Sequence, residues 1–207
     1  MAEQNWNERY QVGDIPWENG NPHPEIKRLF TTYAPVGSSV LEIGCGIGTN
    51  AKWLATAGYL VTAIDIAPEA IKRGTENSKN NNFNIEYKTL DFLKEVDQLG
   101  RYSFVLDCAV FHIMQDLSSR MEFVKRVAQV CQDNGMWINI SCSTDQTKNI
   151  TKTTSVKAPS SLSLQDMVGA VEAYFEILEV KHCGFNIDRI GQGSAVFNAW
   201  ASVFKRR

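Results

Sequence analysis

Apolar positions along the chain fall into two alternating rhythms. Compact apolar runs at 39–43 and 60–65 have the length of strands buried on both faces of a sheet, and 83–90, 102–107 and 135–142 read as further strands. Between them apolar residues recur at helical spacing. Ile47, Ala51, Leu54 and Ala55 follow the first run, and Leu117, Met121, Val124, Ala128 and Cys131 follow the fourth. Gly58 marks a stop, and Pro68 sits where a first helical turn accepts proline, with Glu69 at its positive end. Strands alternating with helices predict an α/β fold, a parallel sheet with helices on both faces. The tail departs from this: runs 174–183 and 194–204 are joined by a glycine-rich loop too short for a crossover helix. That pair is predicted to form an antiparallel hairpin.

Two segments lie outside both rhythms. WNERYQVGDIPWENGNPHPE (6–25) is too apolar for a disordered tail and too broken for a core element, and a short helical pattern begins at Pro24. STDQTKNITKTTSVKAPSSLS (143–163), ahead of a helix near 163–173, is long and polar for a connection. A mobile surface loop and a loop over a site are equally good readings of it.

Composition narrows the function classes. The length of 207 residues suits one domain, and 43% hydrophobic residues suffice for a sizeable core. A net charge of −2 without a basic stripe argues against a dedicated nucleic-acid binder, and Lys205, Arg206 and Arg207 read as a solvated end. Five cysteines without a C-x-x-C pair, and no histidine at ligand spacing, point to reduced thiols and away from a metal. The polar start MAEQNWNERY lacks a signal-peptide core, and no run approaches the ~18 apolar residues of a membrane span. A soluble, cytoplasmic protein is expected.

The chemistry concentrates in VLEIGCGIGTN (40–50) and in Asp65 at the end of the next run. Gly44, Gly46 and Gly48 permit a sharp turn and close approach to a ligand, and the helix behind them presents free N–H groups. Asp65 stands where an acid can accept hydrogen bonds from ribose hydroxyls. A dinucleotide site spaces its glycines G-x-G-x-x-G around a pyrophosphate; here the spacing is G-x-G-x-G, with Glu42 two residues earlier. A carboxylate there opposes a pyrophosphate and suits a ligand carrying an ammonium and a sulfonium, such as S-adenosylmethionine (SAM). A dehydrogenase is the weaker reading. For Glu42, hydrogen bonding to the loop stands beside the ligand role.

These stretches resemble the motifs of class I SAM-dependent methyltransferases: LEIGCGIGTN the first, IDIAPEAI (64–71) the second and TLDFL (89–93) the third. The resemblance covers roughly 38–204. It implies a Rossmann-like, seven-stranded, mostly parallel sheet with an antiparallel last strand, which the tail hairpin suits. It also implies SAM as cofactor and S-adenosylhomocysteine as product. Cofactor contacts are then expected from Glu42, Gly44, Cys45, Gly46 and Gly48 in the first motif and from Asp65 and Ile66 in the second. In the third, Asp91 would face the adenine amino group with Phe92 beside the base.

The opening stretch is similar to the W-x-x-R-Y/W…G-x-T-P-W…G…P start of a narrower group, the thiopurine, thiol-halide and tellurite-resistance methyltransferases, with Ile15 in place of the usual Thr. In that group the segment closes over the cofactor. Residues 1–36 are therefore expected to be a lid and 37–207 the methyltransferase domain. Trp17 would cover the cofactor, since an aromatic face attracts a cation and a closed lid excludes water. Trp6 is expected only to anchor the extension. LDCAVFHIMQD (106–116) falls in the acceptor region, where related sequences carry D-R-G-x-x-H; Cys108 and Ala109 replace Arg and Gly, which removes a positive group. Asp107, a candidate catalytic residue, could orient the loop or meet the methionine ammonium. His112 is the histidine placed to act as acid or base, against the blander role of a packed or capping residue, and Cys108 is expected to line the site.

The expected reaction is in-line attack of a small, soft nucleophile (thiol, thiopurine, halide or chalcogen) on the SAM methyl. Thiolates form near pH ~8.5, so a dedicated base is optional. Two alternatives stand: a methyltransferase acting on a protein, a nucleic acid or an oxygen or nitrogen metabolite, and a SAM-binding regulator without turnover.

Overall fold

The computed structural model describes residues 5–81, 83–145, 159–189 and 193–207. Its centre is a seven-stranded sheet: β1 (Ser39–Ile43), β2 (Leu60–Asp65), β3 (Ile85–Thr89), β4 (Tyr102–Cys108), β5 (Cys131–Cys142), β6 (Phe175–Arg189) and β7 (Gly193–Arg206). The strands lie in the order β3-β2-β1-β4-β5-β7-β6. Neighbours from β3 to β5 pair in parallel, and β7 runs antiparallel to both β5 and β6. The reversed last strand and the tail hairpin match expectation, although both hairpin strands run longer than their apolar patterns.

Alternation within each strand explains the continuous apolar runs. Leu41, Ile43 and Val105 point to one face, where they meet Phe123, Val124 and Val127 of α6 (Leu117–Val130) and Met167 and Ala170 of α7 (Leu164–Val171). Val40, Phe104 and Leu106 point to the other, against α2 (Pro24–Tyr33), α3 (Thr49–Thr56) and Ile71 of α4 (Pro68–Asn80). A fully buried side chain of this size contributes roughly 1.5–3 kcal/mol.

Two expectations need correction. Leu117 and Met121, read as inward, are exposed, and the buried stripe of α6 runs through Phe123, Val124, Val127 and Ala128. Arg120 takes the inward position instead: its guanidinium donates to the Met114 and Gln115 carbonyls and pairs with Asp166. Cys131 belongs to β5, which begins four residues earlier than its apolar run. Arg206 is no free end either, since it donates to the Cys131 carbonyl and pairs with Asp133.

The opening stretch contains a helix that its broken pattern concealed, α1 (Trp6–Val12). Asn5 caps it by accepting from the Glu8 amide, and Gly13 ends it in the left-handed conformation at φ 78°. Seven residues are too few to be stable alone in water. The helix holds by docking: Tyr10 is buried against Ala67 and Ala70 at the start of α4, with Trp6, Ile15 and Trp17 around it. Among the described residues no helix is long and apolar enough to cross a membrane. Most of the polar connection 143–163 lies outside the described residues; of its ends, Leu162 is buried and donates to the Cys142 carbonyl.

Candidate functional site

The carboxyl ends of β1, β2 and β4 meet at one edge of the sheet, where the chain leaves β1 through a tight turn. Gly44, Gly46 and Gly48 take φ of 66°, 56° and 77°, a region that disfavours side chains. Asp65, nearly buried at the end of β2, ties this turn to the next. Its Oδ2 accepts from the Gly46 amide at 2.9 Å and its Oδ1 from the Ala67 amide at 2.9 Å. Burial raises its pKa against the pull of those hydrogen bonds. Each oxygen keeps a lone pair for a hydroxyl partner.

The glycines answer to protein neighbours as much as to a ligand. A Cβ on Gly44 would strike Val110, and one on Gly46 would press on the Tyr10 hydroxyl at 2.9 Å. Gly48 lies off the cavity wall; a Cβ there would fall 2.0 Å from the Tyr87 hydroxyl, so its role is to let α3 approach β3. Glu42 also lies behind the wall. One carboxylate oxygen accepts from Asn50 at 3.1 Å, and the other, Oε2, is buried without a partner among the described residues. Burial pushes its pKa up to about 8, despite the Asn50 hydrogen bond. An orphaned buried carboxylate oxygen under a glycine turn fits a cationic group above it.

Above the turn is a cavity of about 860 Å³. That lies in the upper part of the ~300–1,000 Å³ range of small-molecule sites, room enough for two ligands. The N-terminal segment roofs it. The Asp188 amide donates to the Pro16 carbonyl at 2.7 Å, and His23 Nε2 donates to the Gly184 carbonyl at 2.9 Å, joining the segment to the β6–β7 hairpin. On the other side Thr49 donates to Glu18 and the Glu69 amide to Asn7. Trp17 lines the cavity, edge-on to Trp6 and Tyr10. Its ring already carries a cation: the Arg9 guanidinium sits 4.3 Å from its centroid, held by Asp14. Burial, then the charge of Asp65, raise the Tyr10 phenol's pKa, so it stays neutral.

Along the wall are Cys45, Ile66, Phe92 and Asp91. Asp91 is partly committed, since it caps α5 (Phe92–Glu95) through the Leu93 amide and pairs with Lys94 at 2.9 Å. Cys108 lines the cavity as expected, with burial holding its thiol well above the usual range. Asp107 does not line it. Its Oδ1 accepts from the Val110 and Phe111 amides, and its Oδ2 accepts from Trp137 Nε1 and Asn139 Nδ2, both at 2.8 Å. Four donors use all four lone-pair directions, so of the two roles expected for Asp107 the geometry supports orienting the loop, not meeting an ammonium or acting in catalysis. The turn that Asp107 holds forces Ala109 to φ 71°, which explains glycine at that position in related sequences. It also delivers His112 to the cavity on a 3₁₀ turn at Phe111–Ile113.

Arg9, His23 and Phe185 were not singled out by sequence. Arg9 sits within the quoted W-x-x-R-Y pattern, whereas Phe185 reaches the site only because the hairpin folds back, which no local pattern reports.

The sequence model of the thiopurine S-methyltransferase family matches residues 1–183. The chain is 31% identical over 100 residues to a 2-heptyl-1-hydroxyquinolin-4(1H)-one methyltransferase of Mycobacteroides abscessus, covering 48% of this chain and 44% of that protein. It is 31% identical over 71 residues to a probable thiol methyltransferase 2 of Arabidopsis thaliana, covering 34% of this chain and 31% of that one. The chain thus aligns with less than half the length of each. A solved structure described as "Conversion of a Disulfide Bond into a Thioacetal Group during Echinomycin Biosynthesis" superposes with a TM-score of 0.78 at 20% identity, over 92% of this chain and 84% of that one; it speaks to the fold.

Proposed function

Starting from the fact that this chain belongs to the thiopurine S-methyltransferase family, we propose that it is a SAM-dependent methyltransferase and that it methylates a small, soft nucleophile held beneath the N-terminal segment. The observation that carries this is the cavity itself: a glycine turn with an orphaned acid on one side, an aromatic roof, and volume for an acceptor beside the cofactor. SAM supplies a sulfonium methyl: as the acceptor's lone pair forms its bond to carbon, the carbon–sulfur pair returns to sulfur and S-adenosylhomocysteine remains.

In this reading Asp65 accepts from the ribose hydroxyls and Glu42 balances the ammonium from below the turn. Gly44, Cys45, Gly46 and Ile66 form the bed, Gly48 sets the helix behind it, and Phe92 and Asp91 flank the base. Residues 1–36 are the lid, with Trp17 over the cofactor, and 37–207 the catalytic domain; Cys108 borders the acceptor space. The residues mainly align the two reactants and exclude water. Sulfur is favoured as the attacking atom because a thiolate needs no base in the pocket, and because the family's description and the Arabidopsis relative both name sulfur acceptors. The free cysteines suit a reducing, cytoplasmic setting.

The test is transfer of labelled methyl from SAM to thiols, thiopurines, halides, tellurite and selenite. Labelling of at least one is expected. If none is labelled while a protein extract is, the acceptor is macromolecular and this reading fails.

A further inference from the structure

His112 is 4% exposed, yet it borders the cavity. Its Nδ1 faces the backbone amide of Cys142 at 3.0 Å. A backbone N–H can only donate, so Nδ1 must be the bare nitrogen and Nε2 must carry the proton. Nε2 has no protein partner among the described residues. That nitrogen is not fully enclosed, and His112 borders the cavity, so Nε2 reaches the cavity surface. Either route to a base is blocked. A lone pair on Nε2 would require a proton on Nδ1, and so would the imidazolium; both set that N–H against the Cys142 N–H in a buried place. The low basicity agrees: burial lowers the pKa to about 4.

Around the ring the walls are flat and apolar. Phe185 stands edge-on to His112 at 6.5 Å, with His23 stacked on its ring at 6.0 Å. Val110, Ile113 and Met114 complete this side. Among the described residues the cavity's cations have partners, Arg9 with Asp14 and Lys94 with Asp91. One neutral donor cannot by itself replace the hydration of a bare halide or an inorganic oxyanion. It suits a single heteroatom on an otherwise apolar molecule.

We propose that His112 is a hydrogen-bond donor that recognises the nucleophilic atom of the acceptor through its Nε2–H, and not the base that deprotonates it. The nucleophile then enters as its anion, its proton having left to solvent before methyl transfer. This rests on the methyltransferase reading above and narrows it.

Nitrogen NMR of ring-labelled histidine in the full chain, assigned with His112→Asn, reads the tautomer directly. A proton on Nε2 from about pH 5.5 to about pH 8 is expected; a proton on Nδ1, or titration within that range, overturns the donor role. Kinetics use thiophenol as probe. His112→Asn keeps an oxygen for the Cys142 amide but lacks the outer donor, and should raise KM about tenfold with a smaller change in kcat. His112→Gln, which restores a donor near the Nε2 position, should recover part of that loss, and the wild-type pH profile should follow the acceptor's own ionisation. A kcat loss of about 10²–10⁴-fold in both variants is the signature of a general base and contradicts the proposal. No transfer to thiophenol, or faster transfer to iodide or tellurite, overturns recognition of the acceptor by this one donor. SAM binding, measured separately, tells the failures apart: a chain that binds no SAM undoes the methyltransferase reading, whereas one that binds SAM with the other tautomer undoes only this one.

Discussion

At the scale of single residues, three buried acids close to the glycine turn have different tasks. Asp65 joins two turns and keeps lone pairs toward the cavity, whereas Asp107 spends all of its own on the loop that carries His112. Replacing Asp107 by Asn turns an amide NH₂ toward two or more donors. It should lower stability by about 3 kcal/mol, read from denaturant unfolding. Glu42 is the acid left incomplete. Folded, it holds its proton up to about pH 8, against 4.5 ordinarily. Its contribution to stability is therefore greatest below pH ~4.5 and is lost as pH rises toward 8. Glu42→Gln should flatten that slope, stabilising the ligand-free protein at pH ~8 by roughly 3 kcal/mol while weakening SAM binding. A variant that loses stability at that pH would contradict this account of Glu42. The spacing G-x-G-x-G with Glu42 and Asp65 was legible in the sequence because it is local. The division of labour between Asp65 and Asp107 was not, since it depends on Trp137 and Asn139, which arrive from β5.

At the scale of elements, the strands were legible because burial on both faces leaves continuous apolar runs. The helix faces were less so. In α6 the long stem of Arg120 claims an inward position and turns Leu117 and Met121 outward, which an apolar count misreads. α1 went unrecognised because seven residues carry too few turns for a period, and its stability comes from docking on α4. That docking matters to function. Trp17 is held by Tyr10, Trp6 and the Arg9 guanidinium, so the roof over the cavity is a built structure, not a loose strand. Trp17→Ala should weaken SAM binding about tenfold. Circular dichroism should remain that of the wild type, because the sheet does not depend on the ring. Unchanged affinity would leave Trp17 as an anchor only.

At the scale of the whole molecule, the N-terminal segment and the C-terminal hairpin close on each other across the cavity. Pro16 meets Asp188 and His23 meets Gly184, contacts that bring the two ends of the chain over one site. In the proposed reading the sheet's parallel part supplies the cofactor bed, and its antiparallel edge supplies Phe185 beside His112, the proposed donor to the acceptor. Neither closure nor hairpin contact could be read from local pattern: the closing contacts join residues more than 150 positions apart, and Phe185 meets His112 across more than 70. The central claim is that this enclosed space is a SAM site completed by Glu42. The most direct measurement is calorimetric titration with SAM and with S-adenosylhomocysteine at pH ~7, in two buffers of different ionisation enthalpy. Both should bind one per chain, and binding should release up to about one proton as the ammonium lowers the pKa of Glu42. Failure of both ligands to bind would contradict that claim.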